Sequence, residues 1–411
     1  MNVFNPRSWI SHRWAVGTYF WLVGVAVGVW VARIPEIQAN LRLDEGRLGV
    51  VLLMSAVGAM VAMPLTSRLA GRFGTRVLAW GTAASLCGLL PLIAAAPSPA
   101  VLMAVFGAYG AASGMLGVVV NAMAVEVETA EGRPLLSTFH GLFSLGGLVG
   151  SAIAAGCLAW PIGPVPSLTR AAVGVAAIFL ATAPGLPAAV IRRTGASQGG
   201  DRPARAGWSW PDGRLVLLGG FAFLGLVGEG SMGDWSAVYL KKSLGASAVL
   251  AGLGYAAYSL GMTAGRFSGD FLSSRVGDVA LLRWGAGLAS AGLFAAVVVG
   301  HPVAAVVGFV LVGLGLANAV PVLYRSAART PGIDPVTGIA TTSTVGYFGF
   351  LAGPPLIGLI AHRSTLGVAL GCVAVAIGVV AIGGGQVRSN PVPDRVADSE
   401  SAVEAIVGER G

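Results

Sequence analysis

Long apolar runs, separated by short polar segments, dominate the hydropathy pattern of the chain. Each run has about 20 mainly apolar residues, the length that an α-helix needs to cross the hydrocarbon core of a bilayer. No small-residue cleavage site follows the first run, so we interpret it as a span rather than a signal peptide. The pattern predicts twelve membrane-spanning helices, at residues 14–33, 48–70, 77–96, 100–124, 136–158, 168–190, 215–240, 249–271, 279–300, 303–325, 337–360 and 365–385.

A polar interruption divides the twelve runs into six and six. It covers residues 192–214 and predicts a cytoplasmic linker between an N-terminal six-helix bundle, residues 1–191, and a C-terminal one, residues 215–388. Residues 389–411 are polar and are predicted to form a disordered cytoplasmic tail. The pattern therefore indicates an all-α membrane protein built from two six-helix bundles.

Short strings recur in the two halves at nearly constant offsets. Residues 121–128 align with 318–325 at an offset of 197, and residues 69–74 align with 272–277 at an offset of 203. Two matches in the same order favour two similar half-bundles with a binding site between them, which is the architecture of alternating-access carriers.

The composition indicates that lipid surrounds most of this protein. Of 411 residues, 55% are hydrophobic and 11% are charged, whereas a soluble domain carries about 25% charged residues. The net charge of +8 does not indicate nucleic-acid binding, because the basic residues lie in short segments between apolar runs. With the N-terminus inside, 19 basic residues, Arg266 among them, fall in cytoplasmic segments and seven fall outside. This asymmetry predicts cytoplasmic N- and C-termini.

Nothing in the sequence has the spacing of a catalytic, metal or nucleotide site. The three cysteines are isolated within apolar runs, the four histidines are scattered, and no phosphate-binding loop lies between a strand and a helix. We therefore expect neither an enzyme nor a cofactor. Without a nucleotide site, the energy for transport is expected to come from an ion gradient.

Two loops resemble the loop signature of the major facilitator superfamily, Gly-x-Leu-Ala-Asp-Arg-x-Gly-Arg-Arg. The first copy, residues 67–76, has Gly71 in place of the signature aspartate, and the second copy has Ser274 there. The resemblance implies the major facilitator fold, with twelve helices in two pseudo-symmetric bundles. The gating carboxylate of the signature is not carried over to this chain.

Longer strings resemble one branch of that superfamily, the YbjJ-like inner-membrane proteins, which are similar to fucose–proton symporters. The strings lie at residues 32–35, 121–128, 137–146, 229–236 and 346–355. The resemblance implies a proton-coupled, sugar-type importer in the bacterial inner membrane. Fucose symporters have a glutamate four residues before the asparagine that matches Asn121. That position is Gly117 here, so this coupling residue is not carried over.

Two carboxylates lie within the seventh run. Ionisable side chains inside a membrane are costly, so they are functional candidates. Glu229 lies roughly 22 Å along the predicted helix, and Asp234 lies nearer the outside. Each is a candidate for proton coupling or for contact with a cationic substrate. The alternative is a structural ion pair with Arg33, Lys241 or Lys242.

Other polar and aromatic side chains of the runs are weaker candidates. Asn121 and Asn318 occupy matching positions, and they are expected either to contact substrate or to hydrogen-bond between helices. His140, at the start of the fifth run, is a candidate for titration during transport or for a bond to a neighbouring carbonyl. Four aromatic residues are candidates either for the cavity wall or for packing: Tyr19, Tyr255, Tyr258 and Tyr347.

Charged residues at the ends of the runs predict two gates. On the outside, Arg33 and Asp234 are expected to pair in the inward-facing state. The alternative is that Arg33 pairs locally with Glu36. On the cytoplasmic side, a charge lock is expected to hold the outward-facing state, with Arg325 paired to Asp270. The residues of this lock are Arg72, Glu126, Glu128, Asp270 and Arg325.

Together these features predict a secondary active transporter that moves a small organic solute across the bacterial cytoplasmic membrane by alternating access. The coupled ion is expected to be a proton, and the transporter is expected to be a monomer in the lipid bilayer. Export of a drug or metabolite remains an alternative to sugar-type import, because the spans hold few polar side chains. A non-transporting membrane receptor is the alternative from another class.

Overall fold

Helices make up nearly all of the chain that the computed structural model describes, namely residues 6–132, 135–160, 162–187, 212–333 and 335–387. Except for its last three residues, the predicted linker at 192–214 lies outside the described residues. The predicted tail at 389–411 lies wholly outside them. Those two predictions, and the domain boundaries that depend on them, stay predictions.

The N-terminal half consists of six long helices and one short one. Two of them begin with a side-chain cap: the Asp44 carboxylate accepts a hydrogen bond from the Arg47 amide at 2.7 Å, and Ser98 caps the helix that begins at Pro99. The helices are α1 (Pro6–Val31), α2 (Ile34–Asn40), α3 (Glu45–Phe73), α4 (Thr75–Ala95), α5 (Pro99–Glu131), α6 (Leu136–Ala159) and α7 (Pro164–Thr182).

The C-terminal half repeats this order with two interruptions. Its first helix continues into a wider π-helical turn at Tyr239–Ser243, and its fourth span is broken into two pieces. The helices are α8 (Gly213–Val238), α9 (Ala248–Gly252), α10 (Gly254–Val276), α11 (Asp278–Val299), α12 (Pro302–Leu316), α13 (Ala319–Ala328), α14 (Pro335–Arg363) and α15 (Leu366–Gly383).

Eleven helices of the described part of the chain are long and apolar enough to cross a membrane. The eighth predicted span, α10, has 23 residues but carries Arg266, Asp270 and Arg275, so its hydropathy is lower. Several boundaries differ from the prediction: α1 begins at Pro6 rather than at 14, and α7 ends at Thr182 rather than at 190. Helix α5 continues to Glu131 rather than ending near 124, and the tenth span breaks at Asn318 into α12 and α13.

The two halves have the same internal packing, which confirms the predicted pseudo-symmetry. Gly74 and Gly277 occupy matching loops and share a left-handed φ, +85° and +80°, which favours glycine. Helix α3 packs closely on α5, as α10 packs on α12. A Cβ at Gly110 would overlap the Ser55 carbonyl in the first pair. Small residues therefore bring these helices together, as in other membrane bundles.

Most of the contact between the halves comes from α3 with α14 and from α6 with α10 and α9. Successive long helices run in opposite directions, so α1, α6 and α8 begin at the same end of the bundle. We call this end the N-terminal side and the other end the opposite side.

Candidate transport site

A cavity of about 620 Å³ lies between the two halves. Its walls come from α1, α5 and α6 of the N-terminal half and from α8, α10, α12, α13 and α14 of the C-terminal half. Most of the wall is apolar, and Glu229 and Arg266 are its only charged side chains among the described residues. The other polar residues of the wall are Ser113, Asn121, Ser137, His140, Asn318, Tyr324 and Tyr347.

The Arg266 guanidinium joins the two halves at the cavity wall. Its Nη1 donates hydrogen bonds to Ser144 Oγ at 2.7 Å and to the His140 carbonyl at 3.1 Å, both on α6. Its Nη2 lies 3.5 Å from Oε1 of Glu229 on α8. Two well-formed bonds therefore hold the guanidinium against the N-terminal half, whereas its contact with Glu229 is long.

Glu229 faces the cavity from α8. It lies 16 residues beyond the start of that helix at Gly213, roughly 24 Å along its axis. Its side chain is 22% exposed, and Arg266 is its one ion-pair partner among the described residues. A carboxylate has about four acceptor sites, so Glu229 retains capacity for a proton or for a donor of the solute.

The two matching asparagines both line the cavity and both bond to helix carbonyls. Asn121 Nδ2 donates to the Gly117 carbonyl at 2.8 Å on the same helix. Asn318 Nδ2 donates to the Gly265 carbonyl at 2.9 Å and so links the break between α12 and α13 to α10. Each asparagine therefore has a structural bond and a place in the cavity wall.

The aromatic candidates divide into cavity and packing residues. Tyr347 lines the cavity and is 51% exposed. Tyr19 is buried between α1 and α7 and donates to the Phe179 carbonyl at 3.3 Å. Tyr255 and Tyr258 are buried on α10, with their rings 5.7 Å apart. They lie nearer than Arg266 to the opposite side of the bundle. Tyr19, Tyr255 and Tyr258 are thus packing residues, the second of the two roles considered for them.

The backbone of His140, and not its ring, bonds to Arg266. Its carbonyl accepts from Arg266 at 3.1 Å. Its imidazole lies edge-on to Phe20, with ring centroids 5.2 Å apart, and lines the cavity.

The predicted gate between Arg33 and Asp234 is not formed. The Arg33 guanidinium is fully buried and donates to Glu36 at 2.6 Å and to the Ile162 carbonyl at 3.0 Å. No hydrogen bond or ion pair joins it to Asp234 within the described residues. Arg33 precedes Glu36 by three residues, so one turn of helix brings the two side chains together. The local pair, which was the alternative considered, replaces the predicted gate in this structure.

Two polar contacts cross between the halves on the opposite side. Lys242, after α8, lies 3.2 Å from Glu45 at the start of α3. His362, near the end of α14, lies 4.0 Å from the Asp44 carboxylate. Both pairs link the C-terminal half to the loop and first turn that lead into α3.

Close backbone approaches accompany these pairs. A Cβ at Gly49 of α3 would meet the Pro354 carbonyl of α14 at 2.6 Å. At the other seam, Ser151 Oγ of α6 donates to the Gly252 carbonyl of α9 at 2.6 Å. The halves are therefore in direct contact on the opposite side, beyond the end of the cavity.

On the N-terminal side, charged residues pair within each half. In this structure Arg325 binds Asp278 at 2.6 Å, while Asp270, its expected partner in the outward-facing state, is exposed on α10. Glu128 accepts from the amides of Leu135 and Leu136 at 2.6 and 2.9 Å and so caps the start of α6.

The remaining members of the predicted cytoplasmic lock are Arg72 and Glu126. Arg72 lies over the ring of Phe73, 5.3 Å from its centroid. Glu126 has a buried Oε2 that no hydrogen bond of the described residues satisfies. A lock across the halves in the outward-facing state stays a prediction, because the halves meet on the opposite side here.

Arg266 and Tyr324 are cavity residues that the sequence pattern did not identify. The charge pattern predicts a cytoplasmic position for Arg266, but α10 continues to Val276, so Arg266 lies well inside the helix. Its position five residues within the predicted run was the available signal. Tyr324 follows the break at Asn318, which no hydropathy pattern shows.

Two pseudo-symmetric helical halves around one central cavity are the architecture found in alternating-access carriers. The sequence is 35% identical over 372 residues to an uncharacterized MFS-type transporter of Yersinia pestis, covering 90% of this chain and 94% of that protein. It is 31% identical over 367 residues to the membrane protein MosC of Rhizobium meliloti, covering 89% and 87%. No protein-family model matches. The chain belongs to the major facilitator superfamily and is a transporter, not an enzyme.

Solved structures show the same fold. The nucleoside transporter NupG aligns with a TM-score of 0.69 at 14% identity, covering 91% of this chain and 98% of NupG. A bacterial homologue of the human lysosomal transporter Spinster, inward-facing and occupied, aligns with a TM-score of 0.71 at 15% identity, covering 95% and 100%. The predicted major facilitator fold is therefore confirmed.

Proposed function

We propose that this protein is a secondary active transporter that carries a small organic solute across the bacterial cytoplasmic membrane and couples its movement to a proton at Glu229. The observation that carries this proposal is the pair of Glu229 and Arg266 in the cavity between the halves. A carboxylate in a membrane interior is a site where proton binding and solute binding influence each other.

The proposed orientation places the N-terminal side in the cytoplasm, because most of the basic residues lie at that side or in the segments attached to it. The opposite side, where Lys242 meets Glu45, then faces outward and is closed. With this orientation the proposed state is inward-facing. Alternation would separate the halves on the opposite side and bring them together on the N-terminal side.

A proton-flux assay tests the coupling. Proteoliposomes that enclose a pH-sensitive dye are challenged with single members of a library of small acids, neutral polyols and amines. We expect at least one compound to drive a pH change with the wild-type protein and none to do so with Glu229→Gln.

Asp212→Asn is the matched control, because Asp212 is an exposed carboxylate that caps the same helix and asparagine caps equally well. It should retain the wild-type flux. A pH change that persists in Glu229→Gln would refute coupling at this residue. Isotope uptake without any pH change would refute proton coupling altogether.

Export of a partly apolar compound is the second candidate function, and the apolar wall of the cavity favours it. The direction of the pH change separates the two cases, since a symporter moves protons with the solute and an exchanger moves them against it. Sugar import, implied by the resemblance to fucose symporters, has less support, because two asparagines are the only amides among the described wall residues.

A further inference from the structure

Arg266 lines the cavity, and one edge of its guanidinium makes no short hydrogen bond to the described residues. Nη1 is occupied by Ser144 and the His140 carbonyl, and no acceptor among the described residues bonds to Nε. Nε and Nη2 form the side edge of the planar guanidinium, whose two parallel N–H groups match the two oxygens of a carboxylate. The bonds to α6 hold this edge in a fixed orientation before any ligand arrives.

Glu229 makes one long contact with the Nε and Nη2 edge of the guanidinium. Its Oε1 is 3.5 Å from Nη2, at the limit of hydrogen bonding, and makes no bond to Nε. A charge-assisted bond between a guanidinium and a carboxylate is usually about 2.8 Å long. A second carboxylate that approached both N–H groups would therefore make better bonds than Glu229 makes.

We propose that the solute is an organic carboxylate, which binds both Nε and Nη2 of Arg266 and displaces Glu229, while Glu229 takes up one proton. This inference rests on the proposed function and adds the chemical class of the solute to it.

Charge balance explains why the proton accompanies the acid. The empty cavity holds one positive and one negative described side chain. An added carboxylate would leave an uncompensated negative charge in a largely apolar cavity, which is strongly unfavourable. A proton on Glu229 removes that charge, so the occupied cavity again contains one cation and one anion. The arginine cannot release a proton instead, because its guanidinium stays charged.

The groups around Glu229 support this assignment of the proton. Arg266 is the only charged side chain that faces Glu229 from the described helices packed against it. The other titratable side chains that interact with Glu229 are phenols of α10, α13 and α14, which keep their protons near neutral pH. They are Tyr255, Tyr258, Tyr324 and Tyr347.

A cationic solute fits the same geometry less well. An ammonium bound to Glu229 would lie beside the guanidinium, which two bonds to α6 keep in place. The two positive charges would repel each other in a medium of low dielectric constant. Amines are therefore the contrasting class in the test rather than the proposed one.

Ligand-dependent thermal stability of the purified full-length protein tests the proposal. The probes are two matched sets of an acid, a neutral compound and an amine: gluconate, glucose and glucosamine, and benzoate, benzyl alcohol and benzylamine. The same measurement then covers the library of the proton-flux assay. We expect acids to raise the melting temperature of the wild-type protein.

Two conservative variants separate a binding role from a structural one. Arg266→Lys keeps the charge but loses the planar edge, and it should weaken acid binding by about tenfold or more. Arg275→Lys is the control on the same helix, where Arg275 stacks on Phe271, and it should bind acids like the wild type. If Arg266→Lys unfolds, Ser144→Ala provides a milder test, because it removes one of the bonds that orient the guanidinium.

The pH dependence gives a readout that a structural role would not change. If one proton binds together with the acid, the apparent dissociation constant of the wild type should rise with pH, by up to about tenfold per pH unit. Glu229→Gln should still bind acids, with a constant that no longer varies with pH.

The outcomes distinguish this inference from the proposed function. Stabilisation and transport confined to neutral compounds or amines, or acid binding unaffected by Arg266→Lys, would overturn the carboxylate class and leave proton-coupled transport standing. The absence of any acid that binds would also overturn it. Acid binding without any proton movement would instead contradict the coupling and retain the site.

Discussion

Arg33 illustrates at the residue scale how a local partner competes with a distant one. The sequence suggested a gate with Asp234, but Glu36 lies one turn away and the Ile162 carbonyl completes the site. Because the guanidinium is fully buried, its bonds stabilise the N-terminal half. They join the end of α1 to the start of α7 and do not cross between the halves.

We therefore expect Glu36→Gln to lower the melting temperature. Breaking a buried ion pair typically costs about 3–5 kcal/mol, and the effect should fall below this range because the Glu36 side chain is 35% exposed. Thermal unfolding in detergent measures the change, with Asp212→Asn as an exposed control that should unfold like the wild type. Recovery of transport in an Arg33→Asp, Asp234→Arg double variant would contradict the local role and restore the gate.

At the scale of elements, the break between α12 and α13 distinguishes the two halves. Pro321 has no N–H to bond to the carbonyl of residue 317, so the helix opens at Asn318. The matching residue of the N-terminal half, 197 positions earlier, is Ala124, and α5 is continuous there. The break places the side-chain amide of Asn318 against α10, where it donates to the Gly265 carbonyl.

Gly269 allows this arrangement, because a Cβ at that position would overlap Asn318 Oδ1. Gly269→Ala should therefore displace the amide and destabilise the protein by about 1–3 kcal/mol. The same substitution should cost less in an Asn318→Ala background, and a double-mutant cycle followed by thermal unfolding measures the difference. Equal costs in both backgrounds would show that the two residues do not interact.

The elements also show which parts of the structure a sequence can predict. Apolar runs about 20 residues long predict eleven spans well, because lipid requires a continuous apolar surface. Helix α10 faces the other half and the cavity, so it can carry polar residues within the membrane. The pattern of apolar runs therefore did not identify Arg266 as a cavity residue. The orientation of Tyr19 could not be predicted, because the membrane-spanning part of α1 is apolar on nearly every face and leaves no polar stripe. Arg33 and Glu36 were predictable as a pair from their spacing alone.

For the whole molecule, the pairs on the opposite side determine how readily that side opens. Lys242 with Glu45 and His362 with Asp44 both connect the halves. The Lys242–Glu45 pair is partly exposed, so it contributes about 0.2–1 kcal/mol. An interaction energy of this size suits a carrier, because it favours closure of the opposite side and still allows that side to open.

Lys242→Glu should shift the population toward a state open on the opposite side, by up to about fivefold. A cysteine at Ser259, which is buried on α10, reports the opening through its labelling rate in a variant without the three free native cysteines. Glu45→Lys combined with Lys242→Glu should restore the original rate. Lys241→Glu is the control, because Lys241 bonds to the Ala246 carbonyl of its own half. Unchanged labelling in Lys242→Glu would exclude a role in gating.

The charge on α10 has a consequence for how the protein is made. An arginine near the centre of a helix costs about 2.5–3.5 kcal/mol in membrane insertion, and α10 also carries Asp270 and Arg275. Alone among the long helices of the described chain, α10 would enter lipid reluctantly during synthesis. Glu229 on α8 and the carbonyl and hydroxyl groups of α6 are synthesised earlier and can receive Arg266. Biogenesis of this helix in the membrane therefore depends on the side chains that form the centre of the cavity.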